Sequence, residues 1–413
     1  MNDTRRRHHG DITAQDELTA QAVPESGRSS STAVPFRVLL VCEFFEPGFR
    51  AGGPVRSIAH MLDSSSDVVD VLVVTRDRDL GSAEPYPGLS GRLVHRRNAQ
   101  VCYVDPRRLR HWWLLATVLT GRRFDLLYVN SFWARSSLLA VFAARLGLIR
   151  ARRILVAPRG ELAPSALRTK AGKKRFFLPL WRPFLRRRDV LWHATCGAEA
   201  DAIRRAFPGA PVEVSQNEVA LPPEPLSPVR NDGPLRLVCV SRIHPIKGLA
   251  VTLAALEQVT GRISFDIYGP IEDRAYWAAC ADLIRRLPPS VTVSYQGMLA
   301  PDQVRATFAG YDAFVFPTSG ENFGHVIAES LSASCPVLCA DRTPWTPVIE
   351  AGGGILLADL DVQTLARQLD GLAAATPEQR FRARRAAGDA YRDWRARDAG
   401  VNLLDRIRLA AGT

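Results

Sequence analysis

Residues 313–329 read AFVFPTSGENFGHVIAE: an apolar strand, a turn, and the opening of a helix. Glu321 and Glu329 stand eight apart in this stretch. With a helix beginning near Phe323, Glu329 lies well inside it while Glu321 stays in the loop before it. The loop and first turn, Asn322-Phe323-Gly324, then present unpaired backbone N–H groups to an anion. Gly324 leaves room for a ligand to approach the backbone closely. The segment therefore offers anion-binding amides beside two carboxylates able to accept hydrogen bonds from sugar hydroxyls. Such a combination suits a sugar attached to a phosphate. Acids near helix N-termini are common for dipole reasons alone, so the pair by itself decides little.

A second unit of the same kind lies upstream. Residues 235–256 read LRLVCVSRIHPIKGLAVTLAAL, again strand, basic loop and helix. Arg242 and Lys247 flank a turn marked by Pro245 and Gly248, at the C-terminal end of the strand, where α/β ligand sites form. Two cations there are placed to neutralise a diphosphate. Lys247 stands out on composition. The chain has only four lysines (Lys170, Lys173, Lys174 and Lys247) among 54 basic residues. A lysine kept against that bias reads as a point-charge phosphate ligand.

Together these segments resemble the family 4 retaining glycosyltransferases of GT-B fold. The matching pieces are Ser241-Arg242 with Lys247-Gly248, the acid pair Glu321 and Glu329, and Gly52-Gly53-Pro54 after the first strand. Further likeness lies in Pro158-Arg159-Gly160-Glu161-Leu162, in HATCGAEADAIRRAF from His193, and in Thr343-Pro344-Trp345. The resemblance runs from about Pro35 to the C-terminus. It implies that Arg242 and Lys247 hold the nucleotide diphosphate and that Glu329 binds the ribose. Glu321 would lie by the transferred sugar, with the amides of Asn322, Phe323 and Gly324 beside it. Gly52 and Gly53 would face the phosphates across a cleft. The activity implied is transfer of a sugar from a nucleotide sugar with retention of configuration, at an acceptor that is lipid-linked or a polysaccharide. Arg242, Lys247 and Glu321 are then the catalytic candidates. The implied setting is the cytoplasmic face of a bacterial inner membrane, in surface polysaccharide or glycolipid synthesis.

The alternation of elements agrees with two doubly wound α/β domains. Apolar runs at 36–41, 69–74, 126–129, 154–157 and 190–194 alternate with helical stretches at 55–62 and 137–148, as in a parallel sheet covered on both faces. Prolines 211, 222, 223, 225 and 228 break the pattern, and strands resume at 235–240, 264–268, 292–296, 313–316 and 337–339. We expect a disordered tail over 1–34, a first domain over 35–215, a linker over 216–234 and a second domain over 235–390. Residues 391–413 would form a helix crossing back to the first domain, with Tyr391 and Trp394 as its anchors. Residues 1–34 lack the apolar stretch of a signal peptide, and no apolar run is long enough to cross a membrane. Seven cysteines, with no CxxC or Cys/His spacing, read as reduced thiols, and Cys42, Cys239, Cys335 and Cys339, in apolar runs, as small core residues.

Other candidates are Arg159, after the strand 154–157, and Asn130, after the strand 126–129. Arg159 is expected to touch donor phosphate or acceptor, or else to pair with Glu161. Many family members carry a histidine where Asn130 stands. An amide can hydrogen-bond a hydroxyl but is no general base, so Asn130 is given only a sugar or acceptor contact. His193 and His244 read as structural. Asp77-Arg78-Asp79 matches the DxD pattern of metal-dependent enzymes, yet short matches are cheap, and we read it as a loop with no metal or other cofactor.

The net charge of +12 is lopsided: residues 1–206 hold 34 Lys/Arg and 19 Asp/Glu, a balance of +15. The basic run 170–188, KAGKKRFFLPLWRPFLRRR, alternates cations with apolar residues, as an interfacial segment does. We expect an anionic membrane surface to be met by Lys173, Lys174, Arg175, Phe176, Phe177, Trp181, Arg186, Arg187 and Arg188. Pro179 and Pro183 are expected to interrupt a clean amphipathic helix there. A nucleotide-sugar epimerase of the same fold and a basic nucleic-acid-binding protein are the competing readings. No nucleic-acid module is apparent, and no nucleic-acid partner is expected.

Overall fold

The structure, a computed structural model, describes residues 34–96, 99–163, 166, 167, 171–397 and 400–412, with backbone alone for 171–176. The tail up to residue 33 and the side chains of Lys173, Lys174, Arg175 and Phe176 lie outside the described residues.

The first domain is built on eight strands: β1 (Phe36–Val41), β2 (Val69–Arg76), β3 (Arg92–Arg96), β4 (Ala99–Val104), β5 (Arg123–Asn130), β6 (Arg150–Ala157), β7 (Val190–Ala194) and β8 (Val212–Val214). Their order is β3-β4-β2-β1-β5-β6-β7-β8, parallel except for β3 against β4. One face is covered by α1 (Gly53–Ser64). The other carries α2 (Leu109–Leu119), α3 (Arg135–Arg145), α4 (Ala171–Leu185) and α5 (Gly197–Ala206). Pro179 and Pro183 sit inside α4 and do not interrupt it. Both are exposed, and a backbone hydrogen bond lost on a water-facing side of a helix costs least.

The second sheet is wholly parallel. Its strands are β9 (Leu235–Val240), β10 (Ile263–Tyr268), β11 (Val291–Gly297), β12 (Ala313–Phe316), β13 (Val337–Ala340) and β14 (Gly354–Leu357), in the order β11-β10-β9-β12-β13-β14. Its helices are α6 (Leu249–Leu256), α7 (Arg274–Ile284), α8 (Val304–Phe308), α9 (His325–Ser332), α10 (Val362–Ala374) and α11 (Pro377–Arg397). Strands β12 and β13 are buried at every residue, as a doubly covered parallel sheet requires.

The strand order reverses beside β1 in one sheet and beside β9 in the other. Ligands of open α/β sheets bind at such switch points, beyond the strand C-termini. The loops leaving β1, β9 and β12 there carry Gly52-Gly53, Lys247 and Glu321. Residues 216–234 hold no regular element. Tyr391 and Trp394, on α11, stay with the second domain, Trp394 lying 4.6 Å from Trp345 between ring centroids. Only after them does α12 (Leu403–Ala411) enter the core of the first domain, with Leu403, Leu404 and Ile407 buried. Asn402 Nδ2 donates to the Met61 carbonyl at 2.8 Å, and the Ser66 N–H donates to Asp405 at 3.0 Å.

Candidate functional site

Lys247 ends a single 3-10 turn, Pro245–Lys247, and Gly248 follows at φ 76. A side chain on Gly248 would strike the Pro317 carbonyl just beyond β12. The turn is also held there by the Ser319 N–H, which donates to the Ile246 carbonyl at 2.9 Å. These contacts bring the Lys247 ammonium to the Glu321 carboxylate as an ion pair, each side chain 13 % exposed. The Thr318 hydroxyl donates to Glu321 at 3.2 Å, and Lys247 Nζ lies 5.3 Å from the centroid of the Phe316 ring. Arg242 points elsewhere. Its guanidinium meets both oxygens of Glu272 at 2.9 and 2.7 Å, in a half-exposed pair that solvent weakens. Of the two expected cations, only Lys247 therefore meets one of the two acids, Glu321.

Gly324 takes φ 82 at the N-cap of α9, which begins at His325, two residues later than the sequence suggests. Among the described residues no group accepts a hydrogen bond from the backbone N–H of Asn322, Phe323 or Gly324. Phe323 is buried, its carbonyl accepting from the Trp345 indole. The Asn322 side chain crosses to the first domain, donating to Thr195 Oγ1 and Glu199 Oε2 at 2.9 Å each. Buried Glu199 also accepts from the Gly160 N–H at 2.6 Å and the Thr195 N–H at 2.7 Å, which satisfies its carboxylate.

Glu329 lies inside α9 and is buried there. Burial pushes its carboxyl above the usual range, with Arg56 pulling the other way. Arg56, from the first turn of α1, forms an ion pair with it across the domain boundary. Beside this pair the Ser57 hydroxyl meets His325 Nε2 at 2.8 Å. Gly53 is so near that a side chain would overlap the His325 ring, and Gly52 adopts φ 79 at the N-cap of α1. Desolvation, with Arg56 and Arg159 close by, holds the His325 imidazole down to about 3, hence neutral.

Arg159, at φ 54 beyond β6, donates to Asn130 Oδ1 at 2.5 Å, to the Tyr128 hydroxyl at 2.8 Å and to Asn217. It does not pair with Glu161, whose carboxylate accepts from the Ser131 hydroxyl at 2.8 Å and the Trp133 N–H at 3.0 Å. Tyr128 Oη in turn lies 2.8 Å from His193 Nδ1, and His193 Nε2 lies 2.9 Å from the Ser215 carbonyl. A carbonyl only accepts, so His193 carries its proton on Nε2 and accepts from Tyr128 at Nδ1.

The DxD match is structural. Asp77 is fully buried and accepts from Arg78 at 2.9 Å, while Asp79 accepts from the Phe49 and Arg50 N–H groups at 3.0 and 3.1 Å. Among the described residues no three His, Cys, Asp or Glu side chains gather to hold a metal, and no helix is long and apolar enough to cross a membrane. Far from the cleft, the outer faces of α2, α3 and α4 expose Trp112, Trp113, Leu139, Phe142, Phe177 and Leu180. Arg186, Arg187 and Arg188 are exposed at the end of α4, whereas Trp181 is half-buried against the core.

Sequence reasoning passed over Arg56, Ser57, Thr195, Glu199 and His325. Arg56 left a trace: a cation in the first turn of a helix opposes the helix dipole and asks for a partner.

The model of a "Glycosyl transferases group 1" domain matches residues 234–375, and that of a "Glycosyl transferase 4-like domain" matches residues 52–218. Sucrose-phosphate synthase of Thermosynechococcus elongatus superposes with a TM-score of 0.65 at 15% identity, over 91% of this chain and 99% of that one. Anabaena HepE, solved in complex with UDP and glucose, gives 0.65 at 18% identity over the same shares. WaaG, a glycosyltransferase involved in lipopolysaccharide biosynthesis, gives 0.59 at 11% over 90% and 98%. A comparison with curated protein sequences finds no match. These solved proteins share the fold, and with one family model matched on each of the two sheets the chain belongs to the group 1, GT4-like glycosyltransferases.

Proposed function

We propose that the cleft binds a nucleoside diphosphate sugar and transfers its sugar, with retention, to a lipid-linked or polysaccharide acceptor. The observation that carries this reading is the ion pair of Lys247 with Glu321, the residue just before the free amides of Asn322, Phe323 and Gly324 at the start of α9. That place is built for phosphate oxygens. The UDP-bound HepE structures of like fold lend it support. Lys247 neutralises charge growing on the leaving diphosphate. Arg242 joins it by leaving Glu272, an exchange that costs little because the pair is exposed. Glu321 lies at the sugar and Glu329 accepts from ribose hydroxyls. The leaving phosphate oxygen takes the acceptor's proton on the same face, so no protein nucleophile and no metal is required. Asn130, held by Arg159, contacts sugar or acceptor. The arginine-rimmed apolar face of α2, α3 and α4 rests on anionic lipid at the cytoplasmic side of a bacterial inner membrane.

The test is thermal stabilisation against a panel of nucleotide sugars, with and without EDTA, followed by turnover of the donor so identified. We expect a selective shift that survives EDTA, and at least a hundredfold fall in kcat for Lys247→Ala, the worth of about 3 kcal/mol. Full turnover in Lys247→Ala would remove this loop from the chemistry.

A further inference from the structure

The cleft pairs its own charges. Lys247 meets Glu321, and Arg56 meets Glu329. The second pair is the less expected. Arg56 stands in the first turn of α1, where the helix dipole already places positive charge. Opposite it begins α9, whose first residue, His325, touches Ser57 and crowds Gly53. Two helix N-termini and a guanidinium thus converge on one small volume, whose anion is a carboxylate 6 % exposed. Positive ends so arranged suit an external anion better than a buried acid, whose desolvation the pair only partly offsets. The Arg56 side chain is 35 % exposed, so it reaches solvent on the side away from Glu329.

Space leads to the same conclusion. The cavity lined by Arg56, His60, Asp63, His325 and Glu329 measures about 180 Å³. Pockets for nucleotide-sized ligands start near 300 Å³. A ligand entering here must displace a lining group, and the long Arg56 side chain blocks the carboxylate of Glu329.

We propose that Arg56 is an exchange cation, neutralising Glu329 until a nucleoside diphosphate hydroxyl takes its place there, and then passing to a phosphate. This rests on the cleft being a nucleotide-sugar site. The swap leaves every charge with a partner before and after. A hydroxyl donates to the carboxylate without bringing charge into its buried surroundings, and the guanidinium gains a fork of phosphate oxygens that fits its geometry. Arg56 comes from the first domain and the free amides from the second, so the phosphate replaces Glu329 as Arg56's link to the second domain.

The experiment is titration calorimetry of the full chain with UDP, GDP and ADP and with the corresponding nucleosides. The diphosphate that binds the wild type most tightly serves as probe. Arg56→Ala is expected to weaken that diphosphate by ten- to a hundredfold, the range of one charge-assisted hydrogen bond. The matching nucleoside should bind as well as before or more tightly, because Glu329 is freed. In a Glu329→Gln background the penalty of Arg56→Ala on the diphosphate should persist at tenfold or more. A merely structural pair behaves differently: Arg56→Ala would weaken nucleoside and diphosphate alike, or lose its effect once Glu329 is neutral. Either result overturns the exchange. Should Arg56→Ala fail to fold, Arg56→Gln against Arg56→Lys makes the same comparison with less change in packing. A wild type that binds none of the three diphosphates overturns the nucleotide reading and the exchange with it. A wild type that binds one, with Arg56→Ala unchanged, overturns the exchange alone.

Discussion

Burial keeps His193 uncharged, and the cost of charging it is one part of how the fold meets acid. Its pKa falls from 6.5 to about 3, through desolvation first and the nearby Arg159 second. Between those values the unfolded chain holds a proton that the folded chain refuses. The ring's contribution is thus full above pH 6.5 and is lost as pH falls towards 3. From pH 7 to pH 5 the loss comes to about 2 kcal/mol. Glu329 works in the opposite sense, its raised carboxyl adding stability below its unfolded pKa and losing it as pH rises. Denaturant unfolding of His193→Gln should show a pH slope shallower than wild type by about that 2 kcal/mol over the same range. Equal slopes would mean that the ring is hydrated. The meeting place of Lys247 and Glu321 was legible because each lies at a fixed offset from a strand and a glycine. Arg56 was not, since it meets Glu329 across 273 residues of sequence, and no local pattern encodes such a meeting. Glu199 was hidden for the same reason: its donors come from three segments, Gly160, Thr195 and Asn322.

Among the elements, the short turn between β9 and α6 is tightly constrained. Gly248 combines a left-handed φ of 76 with a carbonyl where a side chain would go. Alanine there is expected to cost about 1–2 kcal/mol for the backbone alone, and more to relieve the overlap with Pro317. Because Lys247 immediately precedes it, turnover of Gly248→Ala should fall even at temperatures where the protein stays folded. Circular dichroism melts beside initial rates check both parts, and wild-type rates in a stably folded variant would mean that the turn tolerates rearrangement. The central strands were readable as continuous apolar runs, which is how a strand buried on both faces must look. The edge ribbon was not: β3, RLVHR, has no fully buried residue and carries little signal. Helix α4 was misjudged at its prolines, because the sequence does not say which face of a helix will meet water.

At the scale of the molecule, charge and apolar exposure fall on the same domain. The excess of cations in residues 1–206 was plain from the sequence. That α2, α3 and α4 share one face of a sheet was not, because it follows from strand order. If this face binds lipid as proposed, the protein should co-sediment with vesicles of phosphatidylglycerol and phosphatidylcholine and be released by salt. Anionic lipid contributes about 1 kcal/mol per cation near the surface, so the triple change Arg186→Ala, Arg187→Ala and Arg188→Ala should weaken binding by up to a hundredfold. Trp112→Ala with Trp113→Ala should weaken binding while sparing its salt dependence. Binding untouched by either set would place the contact elsewhere.

The return of α12 to the first domain bears on the order of synthesis. Residues 35–215 leave the ribosome well before Leu403, Leu404 and Ile407, the side chains that complete one side of their core. Until then the apolar surface around Met61 and Leu62 is uncovered, and the early half of the chain waits on the late half. Loss of the last ten residues would therefore be felt first at the opposite end of the sequence, in the sheet that begins at Phe36.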